Sequence, residues 1–168
     1  MLPVNSGTPA GIKPFQIIYL AFMSGIMMFV MVTLALGLSP VKPGVTPDAS
    51  QARIMLLVLL AYGLLAASAG TFLWFHFAKQ AGRQWQSRLD DESGAAAMLK
   101  LFGTRSIIIG ALAEGVGLFA AVVLFLHRTP YAHIGIALSI LTLAVLFPTR
   151  QKLQDFVRLA AESTGKNL

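Results

Sequence analysis

Residues 106–126 read SIIIGALAEGVGLFAAVVLFL and decide the fold. The stretch holds one charged residue, Glu114, and no proline. An α-helix needs roughly 20 mostly apolar residues to cross a bilayer, and it satisfies its own backbone polar groups there. Three further stretches have the same character: 15–38, 54–77 and 131–147, none with Lys or Arg. The expectation is an all-α membrane protein, a bundle of four transmembrane helices forming one domain over residues 1–168. The apolar run of the first span exceeds a signal-peptide core and only Lys13 precedes it, so it reads as a retained helix.

Composition agrees. The chain has 168 residues, 56% hydrophobic and 12% charged. Soluble domains carry about 25% charged residues, so this chain cannot cover a water-exposed surface, and a soluble globular enzyme is excluded. There is no Cys, which removes disulfides and thiolate chemistry. The formal charge of +6 reads as a membrane-orientation signal, and no nucleic-acid partner is expected.

The basic residues are placed unevenly. Lys13, the segment 78–105 (Lys79, Arg83, Arg88, Lys100, Arg105) and the tail 148–168 (Arg150, Lys152, Arg158, Lys166) hold ten of the thirteen. Lys42, Arg53 and Arg128 hold the rest. The positive-inside rule predicts a cytoplasmic loop at 78–105, a cytoplasmic tail and both termini cytoplasmic, in a bacterial inner membrane. Two stretches outside the spans have amphipathic spacing, Ala95–Phe102 and the run Leu153, Phe156, Val157, Ala160. Both are expected as juxtamembrane helices at the headgroups, the second started by Pro148. The acidic run Asp90–Glu92 reads as a solvated loop tip.

Glu114 is the candidate functional residue. A carboxylate at the centre of a spanning helix costs about 2.5–3.5 kcal/mol on insertion scales and marks a functional position by default. At 100° per residue it shares an arc with Gly110, Ala113, Gly117 and Ala121, while Ile108, Leu112, Val116, Phe119 and Val123 lie opposite. Small residues let helices approach closely in lipid. The matching face on the second span is Gly63, Ala66, Ala67 and Gly70, continued by Trp74, so a seam between spans two and three is expected. Equal depth from the basic ends selects Ser24, Ser68 and Ser139, with Thr71 and Thr142 nearby, as a polar layer around Glu114.

Other signals carry less. Gly115, Gly117 and Ala120 spell a dinucleotide fingerprint, but inside an apolar helix with no strand before it. His76, His127 and His133 lie near span ends, as amphipathic rings do. Met23, Met27 and Met31 form a helical stripe that reads as core or subunit contact rather than a metal site. Trp74 and Tyr131 read as interfacial anchors. No nucleophile–base pair or paired catalytic carboxylates occur at usable spacing, so no enzyme activity, cofactor or metal is expected.

The stretch Arg105–Leu126, RSIIIGALAEGVGLFAAVVLFL, resembles the carboxylate-bearing helix of the proteolipid ring subunit of rotary ATP synthases, subunit c. The likeness rests on a basic residue, an Ile-Gly run, Ala-Leu-x-Glu-Gly and a following aromatic. It makes Glu114 the counterpart of the ion-binding carboxylate, with Gly110 and Gly115 beside it and Phe119 near the family's aromatic. The helix Gly63–Gly70 and the loop with Arg83 and Gln84 extend it. The resemblance implies a homo-oligomeric ring that carries protons or cations. The fourth span and its ending, LFPTRQKLQDFV, are similar to small bacterial four-helix integral membrane proteins, which is the better overall match and implies a fold without a function. The expected role is therefore structural or accessory, packing against a membrane protein partner or a second copy in the lipid bilayer. Ion translocation through Glu114 is the alternative.

Overall fold

Long apolar runs fold as long helices here, and the helices run further than the apolar runs do. A computed structural model describes residues 11–37, 49–87 and 92–162. It contains five helices in the order α1 (Lys13–Gly37), α2 (Ala49–Ser87), α3 (Glu92–His127), α4 (Tyr131–Leu146) and α5 (Arg150–Glu162). The stretches α1, α2 and α3 are each long and apolar enough to cross a membrane. The fourth candidate is a bent pair, α4 and α5, which meet at 71°. At about 1.5 Å per residue, α4 alone is roughly 24 Å long, a little under the roughly 30 Å hydrocarbon core. By helix length and hydropathy the chain is a multi-pass membrane protein whose spans contact lipid.

The described part of the segment 78–105, expected as a loop, is helical. The helix α2 continues to Ser87 and α3 starts at Glu92. Lys, Gln, Arg and Ala are strong helix formers, so nothing there stops either helix when the apolar run ends. Ala95–Phe102 is thus the first part of α3 rather than a separate interfacial helix. Lys42, Arg88, Asp90, Asp91 and Lys166 lie outside the described residues.

Two turns close the α3–α4–α5 region. Arg128, with φ 48°, takes the left-handed position after α3, and its N–H donates to the Leu124 carbonyl at 2.9 Å. Pro130 and Tyr131 then open α4. At the other end Phe147 is extended, as a residue before proline must be, and Pro148 is buried. The cap of α5 is Thr149 rather than Pro148: its Oγ1 accepts from the Lys152 N–H at 3.3 Å. The Lys152 ammonium turns back to donate to the Phe147 carbonyl at 3.0 Å and to the Val145 carbonyl, satisfying the orphaned end of α4.

The helix α3 is the hub. It packs against α1, α2 and α4, whereas α1 and α2 do not touch one another among the described residues. Close approach to α1 and α4 is set by glycines. Phe15, Tyr19, Phe22 and Ile26 project from α1 at i, i+4, i+7, i+11. They meet Gly103, Gly110 and Gly117 of α3, spaced by seven. Residue numbers rise together on the two helices, so they run parallel, and the spacing is that of knobs entering holes along a heptad. The Tyr19 hydroxyl donates to the Ser106 carbonyl at 2.8 Å on the same seam. On the α4 side, Gly135 faces Ala120 and Ser139 faces Gly117.

A second, smaller core lies at the end where Lys13, Lys79 and Lys100 cluster. There Ala81 of α2, Met98 and Phe102 of α3, and Phe156 and Ala160 of α5 are buried together. The amphipathic face of α5 is therefore spent on the extended ends of α2 and α3, and the two segments expected to lie separately form one structure.

Candidate functional site

Glu114 sits on a helix face that no described element closes. Ile107, Ala111, Glu114 and Leu118 recur at i, i+4, i+7, i+11 on α3. On one side of that stripe, Gly110 and Gly117 receive α1. On the other, Gly115 and Phe119 receive Tyr62 of α2, whose ring meets Phe119 edge-on at 5.9 Å. Because α1 and α2 do not meet, the stripe between them stays open, and Ala111 on it is exposed. The Glu114 carboxylate is half-buried and leans on α1: its Oε1 lies 3.0 Å from where a Cβ on Gly25 would be. Gly25 is what allows this approach. Glu114 makes no hydrogen bond or ion pair with any described residue.

The expected polar layer does not assemble. Ser68, Thr71 and Thr142 each donate to a carbonyl four residues earlier in their own helix, at 2.8, 2.8 and 2.7 Å, and are exposed. A hydroxyl with a free backbone acceptor one turn away takes it before reaching across to another helix. Ser139 is buried, but its hydroxyl donates to the Ala113 carbonyl, on the α4 side of α3. Ser24 is exposed, one residue from the Gly25 that touches Glu114.

The small-residue positions divide. Gly110, Gly117 and Ala121 are buried in contacts of α3 with α1 and α4. A Cβ on Gly117 would meet Ser139 Oγ at 2.5 Å and Ile26 Cδ1 at 2.8 Å. Gly63 and Gly70 have nothing within 4 Å, and Ala67 is exposed. They are not at a seam with α3. The side of α2 that touches α3 is one step around, at Leu59, Tyr62 and Ala66. The seam missed in the sequence is the parallel one with α1. Its signal was present as the heptad of glycines at 103, 110 and 117 opposite the spacing of Phe15, Tyr19, Phe22 and Ile26.

Gly63, Ala67 and Gly70 instead line a groove of about 860 Å³ between α2 and α4. Its floor is α3, through Ile109, Leu112 and Val116, and its far wall is Ile134 and Leu138 of α4. Arg105 occupies the next position of the floor stripe, one turn below Ile109. It is only 5% exposed. Its guanidinium lies 3.2 Å from the centre of the Trp74 ring and 5.0 Å from that of Phe156. Trp74 itself lines the groove. The Arg105 side chain makes no hydrogen bond or ion pair with any described residue.

The remaining polar signals are local. His76 stacks on Phe72 at 6.0 Å, and the His133 ring is 3.2 Å from the Pro130 carbonyl. Met27, Met28 and Met31 face outward rather than into this chain's core, while Met23 packs against it. Among the described residues no group of three or more His, Asp or Glu could hold a metal. Compared with known proteins, the chain stands as an all-helical protein with three to four candidate membrane spans, and no family model, curated protein or solved structure matches it.

Proposed function

We propose that the chain is a small structural or accessory protein of a bacterial inner membrane that packs against other membrane helices, in a complex or as an oligomer. The observation that carries this reading is the unclosed flank of α3, where Glu114 stands beside Gly25 with no partner among the described residues. An acid at that depth faces lipid only at a cost, so a protein surface that covers it is favoured. The outward methionines Met27, Met28 and Met31 on α1 add an adaptable contact surface. The clustering of Lys13, Lys79, Arg83 and Lys100 at one end of the bundle supports four crossings with both termini cytoplasmic. In that orientation α4 is the last crossing and α5 folds back under the bundle.

A photo-crosslinking residue at Ala111, in the full chain in its native membrane, tests this directly. The expected product is a protein adduct, to a larger membrane protein or a second copy, with Leu141 on the outer face of α4 as the unreactive control. Lipid adducts alone at Ala111 would remove the proposal. A symmetric oligomer whose Glu114 reacts with a hydrophobic carbodiimide would move the reading to ion translocation, as the likeness of α3 to the proteolipid helix implies.

A further inference from the structure

We infer that the groove between α2 and α4 is a binding site for an anionic phospholipid, with an acyl chain in the groove and the phosphate on Arg105.

Three observations converge on this occupant. The groove is about 860 Å³, open along one side and walled by aliphatic and small side chains. From Leu56 to Trp74 it is roughly 27 Å long at about 1.5 Å per residue, close to the thickness of the hydrocarbon core. The aliphatic hydroxyls along it, Thr71, Ser139 and Thr142, already donate to backbone carbonyls, so between Trp74 and Tyr131 at its rim it offers a guest almost only apolar contact. That is a surface for a hydrocarbon tail. Small residues at Gly63, Ala67 and Gly70 give it depth, since no side chain within 4 Å fills the space above the two glycines.

The charged end selects the headgroup. Arg105 continues the floor stripe toward the end of the bundle where the lysines cluster. It lies nine residues before Glu114, or about 13.5 Å along the helix, at the level where a roughly 30 Å core gives way to headgroups. Its guanidinium lies over Trp74 and close to Phe156, contacts that hold it in place without using its N–H donors. Arg105 is only 5% exposed as a residue, yet its nitrogens are not among the sealed, unpartnered atoms of the described residues, so they remain reachable, and an anion on them offsets the cost of the burial. No carboxylate of this chain supplies it among the described residues. A planar guanidinium binds phosphate oxygens two at a time, and the groove ends at Trp74, the ring that Arg105 touches, so a chain in the groove brings its phosphate to that end.

Trp74 makes the site observable, because it lines the groove and touches Arg105. Replacing Trp85 by Phe leaves Trp74 as the sole tryptophan of the full chain. The protein is placed in phosphatidylcholine bilayers containing a small fraction of either bromine-labelled phosphatidylglycerol or bromine-labelled phosphatidylcholine. The expected result is that the anionic lipid quenches Trp74 at a several-fold lower fraction. Arg105→Gln removes that preference, and Arg105→Lys keeps part of it. Gly70→Leu, which fills the groove and leaves Arg105 in place, weakens quenching by the anionic lipid. Circular dichroism reports that each variant retains its helices. Equal quenching by the two lipids overturns the inference. So does displacement of the labelled lipid by millimolar glycerol phosphate, which would make this a site for a free phosphate. A protein cross-linked through Leu138 in place of lipid would overturn it as well, by making the groove a helix-docking site.

Discussion

The small-residue faces of α2 and α3 look alike in the chain and do opposite things. On α3, Gly103, Gly110 and Gly117 are filled by Phe15, Tyr19, Phe22 and Ile26 of a parallel helix. On α2, Gly63 and Gly70 meet nothing within 4 Å and open on a groove. Small residues permit close approach in lipid, but a partner must also present knobs at the matching spacing. α1 presents such knobs to α3. Where α2 and α4 run past each other, the walls stay apart over the α3 floor. A stripe of glycines is therefore a permission, and the facing side chains decide whether it becomes a seam or a cavity.

Substitutions that fill each face separate the two cases. The largest effect is expected at Gly117→Val. Its new side chain meets Ser139 and Ile26 at once, and overpacking of a filled core costs about 1–3 kcal/mol. Unfolding of the detergent-solubilised protein measures it, and a neutral result would mean that α1 does not sit where the glycines place it.

Glu114 gives the next effect, with the opposite sign. With no hydroxyl or cation of the described chain to hold, Glu114→Leu is expected to stabilise the isolated protein by about 1–2 kcal/mol, only part of the insertion cost of an acid because the carboxyl is already half-buried against α1. The same variant loses its partner in co-purification, and Glu114→Gln falls between. If Leu is instead the less stable of the two, the carboxyl has an internal partner after all.

The smallest effect is expected at Gly63→Ala and Gly70→Ala. A methyl there enters open space, so only helix propensity changes, which favours Ala by about 0.8–1 kcal/mol. A clear loss of stability at either would show that the groove is closed in the membrane.

The spans were legible because a length of about 20 apolar residues has one reading. The ends of the helices were not, because charge marks where a helix leaves hydrocarbon and not where it stops. Lys79, Arg83 and Lys100 lie on helices that continue through them. The importance of Glu114 was legible from its cost alone. Its surroundings were not, because Ser68, Thr71 and Thr142 had acceptors one turn away in their own helices, and depth alone cannot weigh that competition. Arg105 read as one more basic residue of a connecting loop. The packing of α2 and α5, which brings Trp74 and Phe156 onto it, makes it a buried cation.

The central claim is that the Glu114 face of α3 lies against α1 and stays open toward α2. The chain has no cysteine, so introduced pairs report without background. A short bis-thiol cross-linker applied in the membrane to Gly25→Cys with Glu114→Cys is expected to join them within one chain. The pair Gly63→Cys with Glu114→Cys is expected to stay unjoined. Efficient linking through Gly63 and none through Gly25 would contradict the arrangement described for α1, α2 and α3.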